Sequence, residues 1–173
     1  MTQPILPGME QAMFRVLFVC TGNICRSPTA EAVLRKFVAA EGLSDRIGID
    51  SAGTQNYHSG APPDPRSIAA GAARGFDLSG LRARRVRTDD FHTFDLILAM
   101  DSDHLAHLAA LRPNDARAEI KLLLAYHPTL RGGDVPDPYY GGGGGFDDVL
   151  DMIEHAGRNL LASIMPALQG RSG

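Results

Sequence analysis

Seven residues, Cys20-Thr-Gly-Asn-Ile-Cys-Arg26, constrain this chain more than any others, because they join two segments of opposite habit. Ahead of them lies Arg15-Val-Leu-Phe-Val19, a short apolar, β-favouring run that predicts a buried central strand. Behind them comes Ser27-Pro28, which reads as a helix N-cap followed by proline in the first turn. Ala30, Val33, Leu34, Phe37 and Val38 then recur at helical spacing, and Gly42 suits the stop. A loop in that position aims backbone N–H groups and the positive end of a helix at one point. Gly22 and Asn23 tolerate the left-handed backbone that a tight anion cradle requires. Arg26 adds a planar fork of donors able to grip two oxyanion oxygens. These features favour a bound dianion and an ionised thiol at Cys20. By itself a cysteine and an arginine at this spacing is a weak motif, and a strand-end cysteine is commonly a plain core residue.

The rest of the chain alternates in the same way. Ile47 to Ser51 predicts a second strand, closed by Ala52-Gly53. A proline-rich loop from Ala61 to Pro65 leads into a helix over Arg66 to Arg74, ended by Gly75. Leu96 to Ala99 predicts a third strand, after which Ser102 or Asp103 can cap a helix ending near Leu111. Ile120 to Leu124 predicts a fourth strand, and Tyr126 to Gly145 a loop. A last helix begins near Phe146, buries Val149, Leu150, Ile153, Leu160, Leu161 and Ile164, and stops at Pro166. Strands alternating with helices predict a single doubly wound α/β domain: a central four-stranded parallel sheet with helices on both faces. Residues 1–13 are expected to form a flexible lead-in and 14–170 the domain. Sites in such sheets lie beyond the carboxyl ends of the strands. The loop after Val19, the loop after Ser51 and Met100-Asp101 all fall there.

Composition narrows the class of function. The 173 residues are 44% hydrophobic and 21% charged, which suits one soluble globular domain. A net charge of -3 argues against a general nucleic-acid binder. No apolar run approaches the ~20 residues of a membrane span. The first 13 residues lack the pattern of a signal peptide, so the cytoplasm is the expected compartment. Two cysteines make no disulfide framework, and without a nearby histidine they make a poor zinc set; neither metal nor cofactor is expected. The glycine fingerprint of a dinucleotide site is absent after the first strand. Gly141 to Gly145 lacks the frame of a phosphate cradle and reads as a flexible tether. Arg82, Arg84, Arg85 and Arg87 could steer acidic peptides, although a solvated face is the preferred reading.

Val19-Cys-Thr-Gly-Asn-Ile-Cys-Arg-Ser-Pro28 resembles the signature of the low-molecular-weight protein tyrosine phosphatases. Asp137-Pro-Tyr-Tyr140 resembles that family's second hallmark, and Asp50-Ser-Ala-Gly-Thr54 and Leu98-Ala-Met-Asp101 resemble family segments in the expected order. The likeness runs from Arg15 to Leu168. It implies hydrolysis of phosphotyrosine monoesters in protein substrates through a cysteinyl-phosphate. Cys20 would be the nucleophile, Arg26 the phosphate and transition-state ligand, and Asp137 the general acid and base, with Asp134 close by in sequence as a rival acid. Thr21, Gly22, Asn23, Ile24 and Cys25 would complete the phosphate loop, and Ser27 would hydrogen-bond the nucleophile. Ser51 would pin Asn23, and Asp101 would support the loop. Many eukaryotic members add a histidine to the Asn23 network; Gly80 stands near that place here and cannot supply the bond. Tyr57, Tyr139 and Tyr140 would wall the substrate ring, while Thr21 and His58 stand at variable positions that tune substrate choice. Cys25 is either an inert core residue or, as the resemblance implies, the partner of Cys20 in a reversible protective disulfide. A monomer or weak dimer is expected. An arsenate reductase of related fold would need further cysteines or an external thiol, and a phosphate-binding module without turnover could dispense with Cys20 or Asp137.

Overall fold

The computed structural model describes residues 13–140 and 145–169, the side chain of Tyr140 excepted. The expected lead-in over residues 1–12 lies outside the described part. Four parallel strands form the sheet: β1 (Phe14–Cys20), β2 (Ile47–Gly53), β3 (Leu96–Ala99) and β4 (Glu119–Leu122), in the order β2-β1-β3-β4. The helices are α1 (Arg26–Ala40), α2 (Pro65–Ala73), α3 (Asp90–Thr93), α4 (Ser102–Leu111) and α5 (Gly145–Gln169). Among them none is long and apolar enough to cross a membrane.

Strand periodicity explains the two layers. Along β1, Val16, Phe18 and Cys20 face one cluster with α1 and α5, while Leu17 and Val19 face another with α3 and α4. Along β3, Leu98 joins the first and Ile97 and Ala99 the second. Both faces of the central strands are therefore dry, which is why they read as continuous apolar runs. Truncating a side chain as deep as Phe18, 1% exposed, costs ~3–5 kcal/mol.

Several boundaries move. Both β1 and β2 run on to the site itself, because Cys20 pairs with Gly53 in the ladder. Helix α2 starts at Pro65 because Asp64 caps it, accepting from Arg66 N at 2.8 Å. Asp101, rather than Ser102 or Asp103, caps α4 by accepting from His104 N at 2.9 Å. Strand β4 stops at Leu122, where Leu123–Tyr126 tighten into a 3-10 turn. Helix α5 continues through Pro166 to Gln169. Proline removes one backbone bond, but Leu168 is buried beyond it and its carbonyl accepts from Arg46 Nη2 at 2.8 Å. Gly145 opens α5 and so does not belong to a tether; residues 141–144 lie outside the described part.

The order β2-β1-β3-β4 reverses direction between β1 and β3. A crevice opens beyond the carboxyl ends of that pair. Cys20 ends β1, and Met100-Asp101 follow β3, so both reach the crevice without any special folding.

Candidate active site

The segment from Cys20 to Arg26 is held from outside by its carbonyls. Cys20 O accepts from Thr54 N at 2.8 Å, Thr21 O from Gln55 N at 3.0 Å, and Ile24 O from Asp64 N at 2.8 Å. Cys25 O accepts from the Thr29 hydroxyl at 2.7 Å. In a trans peptide C=O and N–H point opposite ways, and no cis bond occurs among the described residues. The N–H groups of Thr21, Gly22, Cys25 and Arg26 are thereby turned away from these outer partners. Asn23, at φ 57°, carries the left-handed turn alone. Gly22 does not take the expected left-handed backbone; a Cβ there would stand 2.9 Å from His58 Cδ2 and displace that ring. Gly53 is stricter still, since its Cβ would meet Thr21 O at 2.6 Å.

Arg26 is 3% exposed, and its guanidinium is fixed along one edge. Nη1 donates to Asp101 Oδ2 at 2.8 Å and to Val135 O at 2.9 Å. Nη2 stands 3.5 Å from His104 Nε2 and 3.7 Å from Asp137 Oδ2. Burial works against ionisation of Asp101, but the His104 N–H, Arg26 and His104's ring outweigh it and hold the carboxyl below its usual range. His104 was not singled out from sequence, because 83 positions separate it from Thr21, whose hydroxyl lies 2.8 Å from its Nε2. Desolvation, then the Arg26 charge, push the His104 pKa down to about 4. A neutral ring facing the Thr21 hydroxyl and an arginine that can only donate accepts at Nε2 and carries its proton on Nδ1, which lies 3.1 Å from Asp101 Oδ1 but outside hydrogen-bond geometry. Thr21 then donates its hydroxyl hydrogen to His104.

The other side of the loop is neutral. Cys20 Sγ lies 3.0 Å from Ser27 Oγ. Asn23 Nδ2 donates to Ser27 Oγ at 2.7 Å and to Ser51 Oγ at 2.9 Å. Ser27 is not the N-cap of α1; Cys25 holds that position with no side-chain cap, and the Ser27 hydroxyl is occupied with Asn23 and Cys20. Asn23 Oδ1 accepts from Arg84 N at 3.0 Å, so the amide oxygen has a partner without any side chain from Gly80. Nothing within 4 Å would meet a Cβ at Gly80. Ser51 Oγ donates to Glu31 Oε1 at 2.7 Å, and Glu31 is 3% exposed. Burial raises the Glu31 pKa, with the Ser51 and Arg35 hydrogen bonds working against it.

These two sides enclose a cleft of about 160 Å³ lined by Cys20, Thr21, Gly22, Ile24, Cys25, Arg26, Tyr57, His58, Asp137 and Tyr139. Such a volume suits one phosphorylated group and part of a ring, not a large cofactor. Among the described residues no cluster of metal-ligating side chains occurs. Asp137 Oδ1 accepts from Tyr139 N at 3.0 Å, leaving Oδ2 toward Arg26. The rival Asp134 instead caps Ser102, accepting from its N at 2.9 Å and its Oγ at 2.9 Å. Tyr57 is 72% exposed and Tyr139 39%, as rim residues would be. The Tyr140 side chain lies outside the described part. Arg66 secures the Asp137 loop, with its guanidinium carbon 5.2 Å from the Tyr139 ring and Nη1 donating to Tyr139 O at 3.3 Å. Burial, then the Asp64 charge, push the Cys25 thiol up to about 12. In the arginine run, Arg84 does not belong to a solvated face. It bridges Asp50 Oδ2 at 3.1 Å and the buried Asp90 at 3.0 Å.

A family model described as "Low molecular weight phosphotyrosine protein phosphatase" matches residues 15–169. The chain is 46% identical over 162 residues to a low molecular weight protein-tyrosine-phosphatase of Streptomyces coelicolor, covering 92% of this chain and 98% of that one. It is 43% identical over 154 residues to the human low molecular weight phosphotyrosine protein phosphatase, covering 88% and 96%. A crystal structure of a protein tyrosine phosphatase from Entamoeba histolytica superposes with a TM-score of 0.85 at 40% identity, covering 89% of this chain and 98% of that one.

Proposed function

The chain belongs to the low molecular weight phosphotyrosine protein phosphatase family, and on that premise we propose that it hydrolyses phosphotyrosine monoesters of proteins through a cysteinyl-phosphate. The Cys20 sulfur attacks phosphorus in line while the ester P–O bond breaks. Asp137 gives its proton to the departing phenolate oxygen. Arg26 and the loop N–H groups hold the three equatorial oxygens as charge develops on them. Water then attacks the phosphocysteine, Asp137 takes a proton from it, and the P–S bond breaks to release phosphate and the thiolate. The loop N–H groups and Arg26 supply the positive field throughout.

The observation that carries this proposal is the convergence of Cys20, Arg26 and Asp137 on one cleft. Asp137 is the better acid than Asp134 because it alone lines that cleft, while Asp134 is committed to Ser102. Tyr57 and Tyr139 at the rim support a ring-sized entrance, so phosphotyrosine reaches the loop and the shorter phosphoserine does not. Residues 14–170 act as one phosphatase domain, expected in the cytoplasm. Hydrolysis of a phosphotyrosine and a phosphoserine peptide of matched sequence tests the proposal. The tyrosine ester alone is expected to turn over, with Asp137→Ala slowed by orders of magnitude and Asp134→Ala near wild type. Equal hydrolysis of both peptides, or an inactive Asp134→Ala beside an active Asp137→Ala, would overturn it.

A further inference from the structure

Behind the cleft runs a chain of hydrogen bonds whose far end the proposed mechanism does not use. Asn23, Ser27, Glu31 and Arg35 follow one another at four-residue spacing, so the last three share one face of α1. That face is buried as far as Glu31 and meets Ser51 at the end of β2. From the carboxylate outward the links are Ser51 to Glu31 at 2.7 Å, Asn23 to Ser51 at 2.9 Å, Asn23 to Ser27 at 2.7 Å, and Ser27 against Cys20 Sγ at 3.0 Å.

Hydrogen counting gives the chain a direction. A carboxylate only accepts, so Ser51 must spend its one hydroxyl hydrogen on Glu31. Toward Asn23, Ser51 then has only lone pairs to offer and must receive an N–H. That requirement, together with Arg84 N donating to Oδ1, fixes the Asn23 amide with Nδ2 facing both serines. The second Nδ2 hydrogen fills a lone pair on Ser27, whose own hydrogen is left for the Cys20 sulfur. Ser27 Oγ also lies 3.4 Å from Ala52 O, a longer and competing acceptor. Arg35 completes the device: its Nε and Nη2 donate to Glu31 Oε2 at 2.9 and 2.7 Å, so that oxygen too must accept.

With Cys20 as the nucleophile proposed above, we propose that Glu31 is a positioning residue that sets the donor direction of this chain and so aims the Ser27 hydroxyl hydrogen at the sulfur. Glu31 touches neither the substrate nor the reacting atoms. It acts through Ser51, Asn23 and Ser27. A carboxylate is required because its two oxygens both accept, one from Ser51 and one from Arg35. An amide of the same shape offers one acceptor where Arg35 and Ser51 together need two. In Glu31→Gln, Arg35 claims the amide oxygen, the NH2 turns to Ser51, and the Ser51 hydrogen loses its acceptor and can turn against Asn23 Nδ2.

The test is a pair of variants, Glu31→Gln and Glu31→Gln with Arg35→Met. Arg35 is a half-exposed side chain, so its replacement is tolerable, and without it the glutamine can turn its oxygen to Ser51. The readouts are the rate of Cys20 alkylation by iodoacetamide near neutral pH, and kcat and KM for an aryl phosphate. Glu31→Gln is expected to slow alkylation and to lower kcat about tenfold, one hydrogen bond's worth, with KM within about twofold. The double variant is expected to recover most of both. Two results overturn the proposal: Glu31→Gln equal to wild type, or single and double variants equally impaired, whether through misfolding or otherwise. Failure of the functional proposal has a different mark, an unmodified protein that does not hydrolyse the ester while Cys20 still alkylates.

Discussion

The two sides of the Cys20–Arg26 loop are built from different materials. On the Arg26 side, charges meet: a buried guanidinium against Asp101, with a neutral His104 and the Asp137 carboxylate beside it. On the Asn23 side, uncharged amide and hydroxyl groups are strung in series, and the charges, Glu31 paired with Arg35, sit at the far end. The first arrangement fixes where an oxyanion sits, because an arginine held along one edge by Nη1 keeps the rest of its fork toward the cleft. The second fixes how the sulfur is presented. Substrate affinity should therefore respond mainly to one side, and turnover at constant affinity to the other.

The largest expected effect breaks the charged side. Asp101→Asn leaves Arg26 buried without its ion-pair partner, and unbalancing such a pair costs ~3–5 kcal/mol. Urea unfolding should show that loss, and kcat/KM should fall at least a hundredfold with KM rising. Unchanged stability would mean that Val135 O and Asp137 alone suffice to hold Arg26.

Next comes the histidine beside it. An unfolded chain protonates this residue below its ordinary value of 6.5, but the folded chain keeps His104 neutral down to about 4. Its contribution is therefore complete above pH 6.5 and is lost as pH falls from 6.5 toward 4, on the order of 3 kcal/mol in all. Chemical denaturation across that range should show a steep acid limb in the wild type and a shallower one in His104→Asn. Identical limbs would remove His104 as the cause.

On the neutral side, Ser51→Ala cuts the chain between Glu31 and Asn23. About tenfold lower kcat with little change in KM is expected, the size of about one hydrogen bond. A KM effect as large as that of Asp101→Asn would erase the distinction between the sides. The smallest effect concerns Cys25, whose thiol is buried and held protonated up to about 12. Peptide mapping after brief iodoacetamide treatment at pH 8 should find Cys20 modified and Cys25 untouched; early labelling of Cys25 would contradict its environment.

Local pattern carried the sheet, the long helices and the loop, because strand period, helix period and the strand–loop–helix junction are all written within a few residues. The charged side was half legible: Arg26 and Asp137 lie in short motifs, while His104 and Val135 O arrive from 78 and 109 positions away. The neutral side was less so. Ser27 reads locally as a cap, and only the partners brought by β2 and by Arg84 reveal its other use. One signal for Glu31 does exist in the sequence: polar residues at positions 27, 31 and 35 form a stripe along one face of the helix. Four-residue α3 was too short to show a period, and Pro166 was overruled by the burial of Leu168.

The most direct measurement is to mix Asp137→Ala with p-nitrophenyl phosphate, whose phenolate departs without needing a proton, quench within the first turnovers, and map the phosphoryl group by mass spectrometry. Slowed hydrolysis should leave it on the peptide that carries Cys20, bound to sulfur. A phosphoryl group on any other residue, or steady release of phosphate with none ever trapped on Cys20, would contradict the account.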